Sequence, residues 1–197
     1  MLDRERSSAI RLAREAGKIL TEIYATDFDV EFKGKADPVT EADRRANEYL
    51  VTEIRRLFPG DGIVAEESED RSDGLLAGRC WYVDPLDGTK EFIAKNGEFS
   101  VMIGLAIDGE ARLGVVFQPS KNKLYHGVVG DGAMVEGPEG STAMRVSSVP
   151  EPAHLKLVVS RSHRSESMDR VVRGLGIAEE RRSGSVGLKI GLIAEQE

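Results

Sequence analysis

Two aspartates three residues apart, Asp84 and Asp87, have the type and spacing in this 197-residue chain that best suit chemistry. They lie in residues 83–90 (VDPLDGTK), and the apolar stretch before them predicts a strand that ends at Asp84. A tight turn at the proline between them can aim both carboxylates and the Leu86 carbonyl at one point. Because hard cations such as Mg²⁺ bind oxygen ligands of this kind, the segment predicts a metal site.

The two residues that follow, Gly88 and Thr89, predict the beginning of a short helix that runs through Phe92. The first N–H groups of a helix have no partner within it, and they suit an anion such as phosphate. A metal site and a phosphate cradle would then lie within one turn of each other. An alternative remains open at this point, because Pro-x-Asp-Gly is also ordinary turn chemistry without any ligand.

Three more carboxylates occur where predicted elements begin or end. Glu66 and Glu67 follow a short predicted strand, although a solvated acidic loop is the simpler interpretation of that pair alone. Asp43 lies in the first turn of a predicted helix, where an acidic side chain also interacts favourably with the helix dipole. Together, four acids suit a multi-metal phosphoryl-transfer site: Asp43, Glu66, Asp84 and Asp87.

The helices and strands that must position these acids follow from the apolar periodicity. An amphipathic helix is predicted near the N-terminus, and a second helix begins at the N-cap residue Thr40. Strands are predicted at residues 62–65 and 81–83, and both run directly into carboxylates. Two β-hairpins follow, with turns at residues 108–109 and 130–132. The first part of the chain therefore predicts an α+β region rich in antiparallel strands.

The remainder of the chain predicts a smaller α/β piece. Residues 137–152 are rich in Gly, Pro and Ser, which is typical of a linker, and residues 27–39 read as an extended connection. We therefore predict an α/β (α+β) fold with an N-terminal α+β domain at residues 1–150 that binds metal and phosphate. Residues 151–197 are predicted to form the start of a C-terminal α/β domain. After the linker, one strand and two helices are predicted, at residues 155–159, 166–175 and 186–194.

The composition excludes several classes of function. Asp and Glu total 34 against 27 Lys and Arg, so the formal net charge is −7 and a nucleic-acid polymer is a poor candidate for a partner. The single cysteine, Cys80, excludes an internal disulfide and a cysteine-based zinc or iron–sulfur site within one chain. The charged N-terminus lacks the apolar core of a signal peptide, and no apolar stretch has the length of a transmembrane segment. We therefore expect a cytoplasmic protein.

Three motifs in this order and spacing carry a resemblance to a known family. They are KADPVTEAD at residues 35–43, VAEES at 64–68 and WYVDPLDGTKEF at 81–92. The chain closely resembles the inositol monophosphatase superfamily over essentially its whole length. The resemblance implies a layered sugar-phosphatase fold and a Mg²⁺-dependent, lithium-sensitive phosphatase that acts on a small phosphorylated substrate.

Three further segments resemble one branch of that superfamily, the 3'(2'),5'-bisphosphate nucleotidases. They are KEF at residues 90–92, NGEFS at 96–100 and SRSH at 160–163. This resemblance implies hydrolysis of the 3'-phosphate of adenosine 3',5'-bisphosphate to AMP by metal-activated water. The alternative is an inositol monophosphatase or another sugar phosphatase.

The resemblance also implies roles for individual residues. Glu66, Asp84 and the Leu86 carbonyl would hold one Mg²⁺ ion, while Asp84 and Asp87 would hold a second, with two or three ions in all. Glu66 would also orient the attacking water, and Glu67 would lie just behind the ligands. The residues implied in catalysis are Glu66, Thr89 and Asp43, the last two as a hydrogen-bonded pair.

Substrate contacts implied by the resemblance fall into two groups. The group at the phosphate comprises Glu66, Leu86, Asp87, Gly88 and Thr89, with the amides of the last two holding the phosphate. The group on the nucleotide side comprises Ser160, His163, Ser185 and Lys189.

One part of the superfamily pattern is absent from this sequence. The distant Trp-Asp-x-Ala motif, whose Asp would complete the second metal site, does not occur, and Trp81 is the only tryptophan. We therefore expect a chain shorter than the natural protein. The alternative from a different class is a catalytically silent metal- or phosphate-binding protein or fragment. Superfamily members are often dimeric, so the resemblance also allows a homodimer.

Overall fold

The computed structural model describes residues 2–32, 38–67, 78–161 and 164–196. Helices stand before and after a central run of consecutive strands, and the longer helices carry the amphipathic patterns expected from the sequence. In chain order, the helices described are α1 (Asp3–Tyr24), α2 (Glu41–Leu57), α3 (Thr89–Ile93), α4 (Glu166–Leu175) and α5 (Val186–Ala194).

The strands are short at both ends of the chain and longest in the middle. In chain order, those described are β1 (Val30–Phe32), β2 (Pro38–Thr40), β3 (Gly62–Ala65), β4 (Arg79–Asp87), β5 (Ser100–Ile107), β6 (Glu110–Gln118), β7 (Lys123–Val128), β8 (Gly132–Gly137), β9 (Gly140–Ala143), β10 (Lys156–Ser160) and β11 (Glu179–Ser183).

Seven strands form one sheet in the order β3–β4–β5–β6–β7–β8–β9. β3 runs parallel to β4, and each later pair of neighbours is antiparallel. Two smaller sheets pair β1 with β2 in antiparallel fashion and β10 with β11 in parallel, with α4 between the last two strands in sequence. The predicted hairpins β5–β6 and β7–β8 are confirmed, and the strand and two helices predicted after the linker are present as β10, α4 and α5.

The main core lies between the large sheet and the helices α1 and α2. The apolar side chains of each helix recur every three or four residues, so Leu12 and Leu20 of α1 and Leu50 of α2 are fully buried. Trp81 of β4 and Leu105 of β5 meet them from the sheet. This packing fixes β4, the strand that carries the predicted metal ligands.

Helix α1 approaches β6 unusually closely. A Cβ atom at Gly17 would lie 2.5 Å from the Cε1 atom of Phe117, which is closer than any side chain tolerates. Glycine is therefore required where the helix crosses the strand. The contact fixes the helix against the middle of the sheet.

The opposite face of the large sheet is in contact with α5. Beside this helix lies a cavity of about 630 Å³, lined mainly by apolar side chains that include Met102, Val116 and Ile190. Glu66 and Asp84 also line the cavity. Asp84 therefore borders an apolar space, which disfavours the charged form of its carboxyl.

Three predicted boundaries were wrong. The strand predicted at residues 81–83 continues to Asp87, because its pairing with β5 resumes there after an irregularity. The predicted linker at 137–152 contains β9, which pairs with β8 and extends the sheet. The predicted extended connection at 27–39 contains β1 and part of β2. The division of the chain near residue 150 stays a prediction.

Candidate active site

The irregular end of β4 carries both aspartates of the predicted metal site. Asp84 pairs with Met102 of β5 and Asp87 pairs with Ser100, so two residues of β4 lie opposite one residue of β5. A bulge of this kind changes the direction of nearby side chains. The Leu86 N–H donates to Asp84 Oδ1 at 3.1 Å, so the local backbone holds that carboxylate. The predicted turn is thus a bulge within a continuous strand.

Asp84 is half-buried and lies among other negative charges. Burial, the charges of Glu66 and Asp87 and a hydrogen bond with Glu66 together raise the pKa of its carboxyl from 3.8 to about 9, and burial is the largest of these causes. The Glu66 N–H donates to the Val83 carbonyl at 3.0 Å, which extends the β3–β4 pairing and brings Glu66 beside Asp84. In the absence of a cation, the Asp84 carboxyl keeps its proton at neutral pH.

The residues crowded around Asp84 are chemically suited to a metal ion. The donors are all oxygen atoms, which hard divalent cations prefer, and a bound cation would offset the repulsion that raises the Asp84 pKa. Glu66, Asp84 and the Leu86 carbonyl therefore fit a cation such as Mg²⁺. In the described part of the chain, however, no three Asp, Glu, His or Cys side chains converge as a finished set of metal ligands.

Both carboxylate oxygens of Asp87 accept hydrogen bonds from the beginning of α5. Val186 N–H donates to Oδ1 at 3.1 Å, and Gly187 N–H donates to Oδ2 at 2.7 Å. The hydroxyls of Ser185 and Ser100 also donate to Oδ2. Asp87 thus interacts with the N-terminus of α5, where a negative charge is favourable. To bind a second metal ion as predicted, it would have to share or exchange these donors.

The predicted pair of Asp43 and Thr89 is present. Asp43 is buried at the beginning of α2, where it accepts hydrogen bonds from Thr40 N–H at 2.7 Å and from Thr40 Oγ1 at 2.6 Å. Its other oxygen accepts from Thr89 Oγ1 at 3.1 Å. Burial is the main cause that raises the pKa of Asp43, while the hydrogen bonds from Thr40 act in the opposite direction. Asp43, in the first turn of α2, therefore also joins that helix to α3.

Gly88 begins α3 in a conformation that favours glycine. Its φ angle is +101°, and a Cβ atom at this position would lie 2.9 Å from the Glu98 carbonyl oxygen. The helix then starts at Thr89, as predicted, and the Phe92 N–H closes the first turn onto the Gly88 carbonyl at 2.9 Å. The first N–H groups of α3 consequently lie next to the Asp84–Asp87 bulge.

The residues predicted on the nucleotide side have different environments. Ser185 is fully buried and caps α5, with its Oγ accepting from Leu188 N–H at 3.1 Å. Lys189 Nζ donates to the Gly184 carbonyl at 3.2 Å, and Ser160 is half-buried at the end of β10. His163 lies outside the described residues. Asp87 and Ser185 are therefore in contact, whereas Lys189 contacts the backbone of the turn before α5.

Sequence reasoning missed two residues near this site. Ser100 lies opposite the β4 bulge, where its hydroxyl contacts both Asp87 and Ser185. Glu98 contacts the turn that precedes α5, as its carboxylate accepts from Gly184 N–H at 3.0 Å. Both belong to the NGEFS segment, which sequence analysis singled out without assigning a role to its side chains.

Comparisons with known proteins identify the family of the chain. The model of the inositol monophosphatase family matches residues 1–197. The chain belongs to the inositol monophosphatase family. It is also 37% identical over 194 residues to the 3'(2'),5'-bisphosphate nucleotidase CysQ of Escherichia coli O157:H7, an alignment that covers 94% of this chain and 74% of the relative.

Other members of the family are similar to a comparable degree. A histidinol-phosphatase of Chlorobaculum parvum is 37% identical over 144 residues, which cover 73% of this chain and 53% of that protein. The solved structure of CysQ from Bacteroides thetaiotaomicron superposes with a TM-score of 0.81 at 32% identity, covering 98% of this chain and 76% of that one. The predicted fold and the predicted family are thus confirmed.

Family membership supports a phosphatase, since members of the inositol monophosphatase family are generally metal-dependent and act on small phosphorylated substrates. The acids at the β4 bulge are the residues whose chemistry suits such a metal. No helix in the described part of the chain combines the length and the hydropathy that a membrane span requires.

Proposed function

We propose that the protein is a Mg²⁺-dependent phosphomonoesterase that removes the 3'-phosphate of adenosine 3',5'-bisphosphate and leaves AMP. The similarity to the CysQ nucleotidases over 94% of the chain supports this choice of substrate. The oxygen donors at the β4 bulge support the choice of metal. The observation that carries the proposal is the crowding of Glu66 and Asp87 around the half-buried Asp84, which raises the pKa of the Asp84 carboxyl.

Glu66, Asp84 and the Leu86 carbonyl would hold one ion, and Asp84 and Asp87 a second, within a total of two or three. When bound, Mg²⁺ supplies positive charge that neutralises the phosphate and lowers the pKa of the water that attacks it. Glu66 orients that water by accepting a hydrogen bond from it. Thr89, held by its hydrogen bond to Asp43, is in a position to support the same arrangement.

The reaction needs no covalent enzyme intermediate. The water oxygen forms a bond to phosphorus while the bond between phosphorus and the 3' oxygen breaks, and the proton lost by the water is balanced by one gained by the leaving oxygen. The N–H groups of Gly88 and Thr89 hold the phosphate at the beginning of α3. Ser160, His163, Ser185 and Lys189 remain the candidates for the nucleotide side of the substrate.

A second candidate substrate is a smaller phosphomonoester such as an inositol or another sugar phosphate. It is favoured by the family itself and by the similarity to a histidinol-phosphatase over 73% of the chain. The bulge and α3 would serve either substrate in the same way, because both present a phosphate monoester. The two candidates differ only in the group that leaves.

Phosphate release tests both candidates directly. We would compare adenosine 3',5'-bisphosphate, inositol 1-phosphate and histidinol phosphate with Mg²⁺, and repeat each assay with lithium. The proposal predicts lithium-sensitive release that is fastest from the nucleotide and lost in the Asp84→Asn variant. Full activity of Asp84→Asn would exclude the metal assignment. Release from inositol 1-phosphate alone would favour the second candidate.

A second measurement separates binding from turnover. Calorimetric titration with Mg²⁺ should show binding to the parent protein and much weaker binding to Asp84→Asn. Binding without release from any substrate would support the catalytically silent metal- or phosphate-binding protein that the sequence left open. Absence of Mg²⁺ binding would contradict the proposed site as a whole.

A further inference from the structure

The segment between α3 and β5 is anchored to the large sheet. Asn96 Oδ1 accepts a hydrogen bond from the Glu98 N–H at 2.9 Å, which fixes the local turn. The Gly97 carbonyl accepts from Gln118 Nε2 at 3.0 Å and from Ser120 Oγ at 2.6 Å. Glu98 is therefore presented from a backbone that is tied to the end of β6 and the residues after it.

The Glu98 carboxylate contacts two other parts of the chain. Its Oε2 accepts from Arg161 Nε at 3.1 Å and from Gly184 N–H at 3.0 Å, while its Oε1 accepts from Arg161 Nη2. Arg161 in turn donates its N–H to the Ser183 carbonyl at 3.1 Å. One carboxylate thus connects the end of β10 with the turn between β11 and α5.

A second carboxylate restricts the same turn from another side. A Cβ atom at Gly184 would lie 2.0 Å from Cδ of Glu91, a buried residue of α3. No side chain other than hydrogen fits there. Gly184 therefore packs tightly against the Glu91 side chain and is held by its hydrogen bond to Glu98. These two contacts fix the turn before α5 relative to α3.

These contacts matter because of the residues next to them in sequence. Arg161 follows Ser160, and Gly184 precedes Ser185, two of the candidates for the nucleotide side of the substrate. The phosphate end of the site lies instead on the β4 bulge and α3. The Glu98 carboxylate holds the nucleotide side, 63 residues away at Arg161 and 86 residues away at Gly184. The backbone carbonyl of Glu98 lies against the phosphate side, since a Cβ atom on the glycine that precedes α3 would be 2.9 Å from that oxygen.

We infer that Glu98 is a positioning residue for specificity, which sets the nucleotide side of the site at a fixed place relative to the phosphate side. The inference rests on the proposed function. A substrate with a large leaving group, which reaches the end of β10 and the beginning of α5, depends on Glu98. A small phosphomonoester held only at the bulge and α3 does not.

The test compares two substrates in the Glu98→Gln and Arg161→Gln variants and in the double variant. Glutamine keeps an acceptor for Gly184 N–H and removes the charge that holds Arg161. We expect the KM for adenosine 3',5'-bisphosphate to rise about fivefold with kcat within about twofold. Constants for p-nitrophenyl phosphate should not change. The double variant should resemble either single variant, because the two residues act as one unit.

A matched control lies on the β5–β6 hairpin. Arg112 Nη2 contacts Glu110 Oε2 at 2.6 Å in an exposed pair that touches neither end of the site. The Glu110→Gln variant should leave both substrates unaffected. Calorimetric titration with AMP and with inorganic phosphate measures binding without turnover. Glu98→Gln should weaken the binding of AMP and leave the binding of inorganic phosphate unchanged.

The outcomes separate this inference from the proposed function. If the parent protein neither hydrolyses the bisphosphate nor binds AMP, both are overturned. If the parent does so and Glu98→Gln behaves identically, only the inference is overturned. Equal losses on both substrates would show a merely structural role for Glu98 and would also overturn it. A loss confined to the nucleotide would support it.

Discussion

Replacing Asp84 by asparagine should stabilise the metal-free protein while abolishing its metal-dependent activity. At neutral pH the folded protein keeps the Asp84 carboxyl protonated, because burial and the charge of Glu66 raise its pKa to about 9. The unfolded chain releases that proton at its ordinary pKa. Asparagine resembles the protonated acid in shape and does not titrate. The variant therefore avoids the free-energy cost of protonating Asp84 when the chain folds at neutral pH.

The magnitude follows from the difference between the two pKa values. The ordinary pKa of 3.8 lies about 3 pH units below pH 7, and each unit corresponds to about 1.4 kcal/mol. The gain in unfolding free energy from Asp84→Asn therefore has an upper limit of about 4 kcal/mol. Because Asp84 is only half-buried and water screens part of its interaction with the neighbouring charges, we expect a stabilisation of about 1–3 kcal/mol. For a chain of this size that corresponds to a rise in Tm of about 3–9 °C.

The sign of the pH dependence is fixed by the raised pKa. Below pH 3.8 the acid is protonated in both states, so its contribution to stability is fully present. As the pH rises from 3.8 towards 9, the unfolded chain loses the proton while the folded protein retains it, and stability falls. The advantage of Asp84→Asn should therefore be near zero at pH 4 and clear at pH 8.

Urea unfolding of the metal-free protein at these two pH values measures the effect. The matched variant is Asp87→Asn. It neutralises a carboxylate only three residues away, but one that hydrogen-bond donors surround instead of like charges. Asp87 accepts from the backbone N–H groups of Val186 and Gly187, so its neutralisation should destabilise the protein by about 1–3 kcal/mol. If Asp84→Asn were the less stable of the two at pH 8, or its advantage did not depend on pH, the assignment of the raised pKa would be refuted.

Three further changes have expected outcomes. Because Mg²⁺ must displace the proton on Asp84, its apparent affinity should rise between pH 6 and pH 8.5 in calorimetric titrations, and a constant affinity would contradict this. Thr89→Val removes the donor to the buried Asp43 and should cost about 1–3 kcal/mol in urea unfolding, while Thr89→Ser should restore most of it. Gly17→Ala places a methyl group 2.5 Å from a ring on β6 and should lower the unfolding free energy by about 1–3 kcal/mol, whereas Gly60→Ala, which meets nothing within 4 Å, should change it by less than about 1 kcal/mol.

Local signals in the sequence were sufficient for much of the fold. Thr40 caps α2 as predicted, since a threonine followed three residues later by Asp43 forms a capping box within one turn. Helices α4 and α5 begin and end at the predicted residues, and glycine-rich turns mark both hairpins. Each of these features depends on residues close together in the chain.

The features that sequence reasoning missed depend on pairing between distant residues. The bulge in β4 exists because Asp87 pairs with Ser100 while Asp84 pairs with Met102, and a strand read alone does not reveal its partner. The contact between Asp87 and Val186 spans 99 residues. Periodicity therefore identified the candidate acids but could not show which of them would be hydrogen-bonded to protein groups.

The difference between the two aspartates has a consequence for the order in which ions would bind. Relieving the repulsion at Asp84 favours a first cation there, because that carboxyl lies among like charges in an apolar setting. A cation at Asp87 gains no such relief, since Asp87 already accepts from the N-terminus of α5 and from two serine hydroxyls. A second ion would therefore bind more weakly than the first, and its binding would loosen the contact between β4 and α5. Two identical side chains within one short motif thus acquire different chemistry from the strand and the helix that surround them.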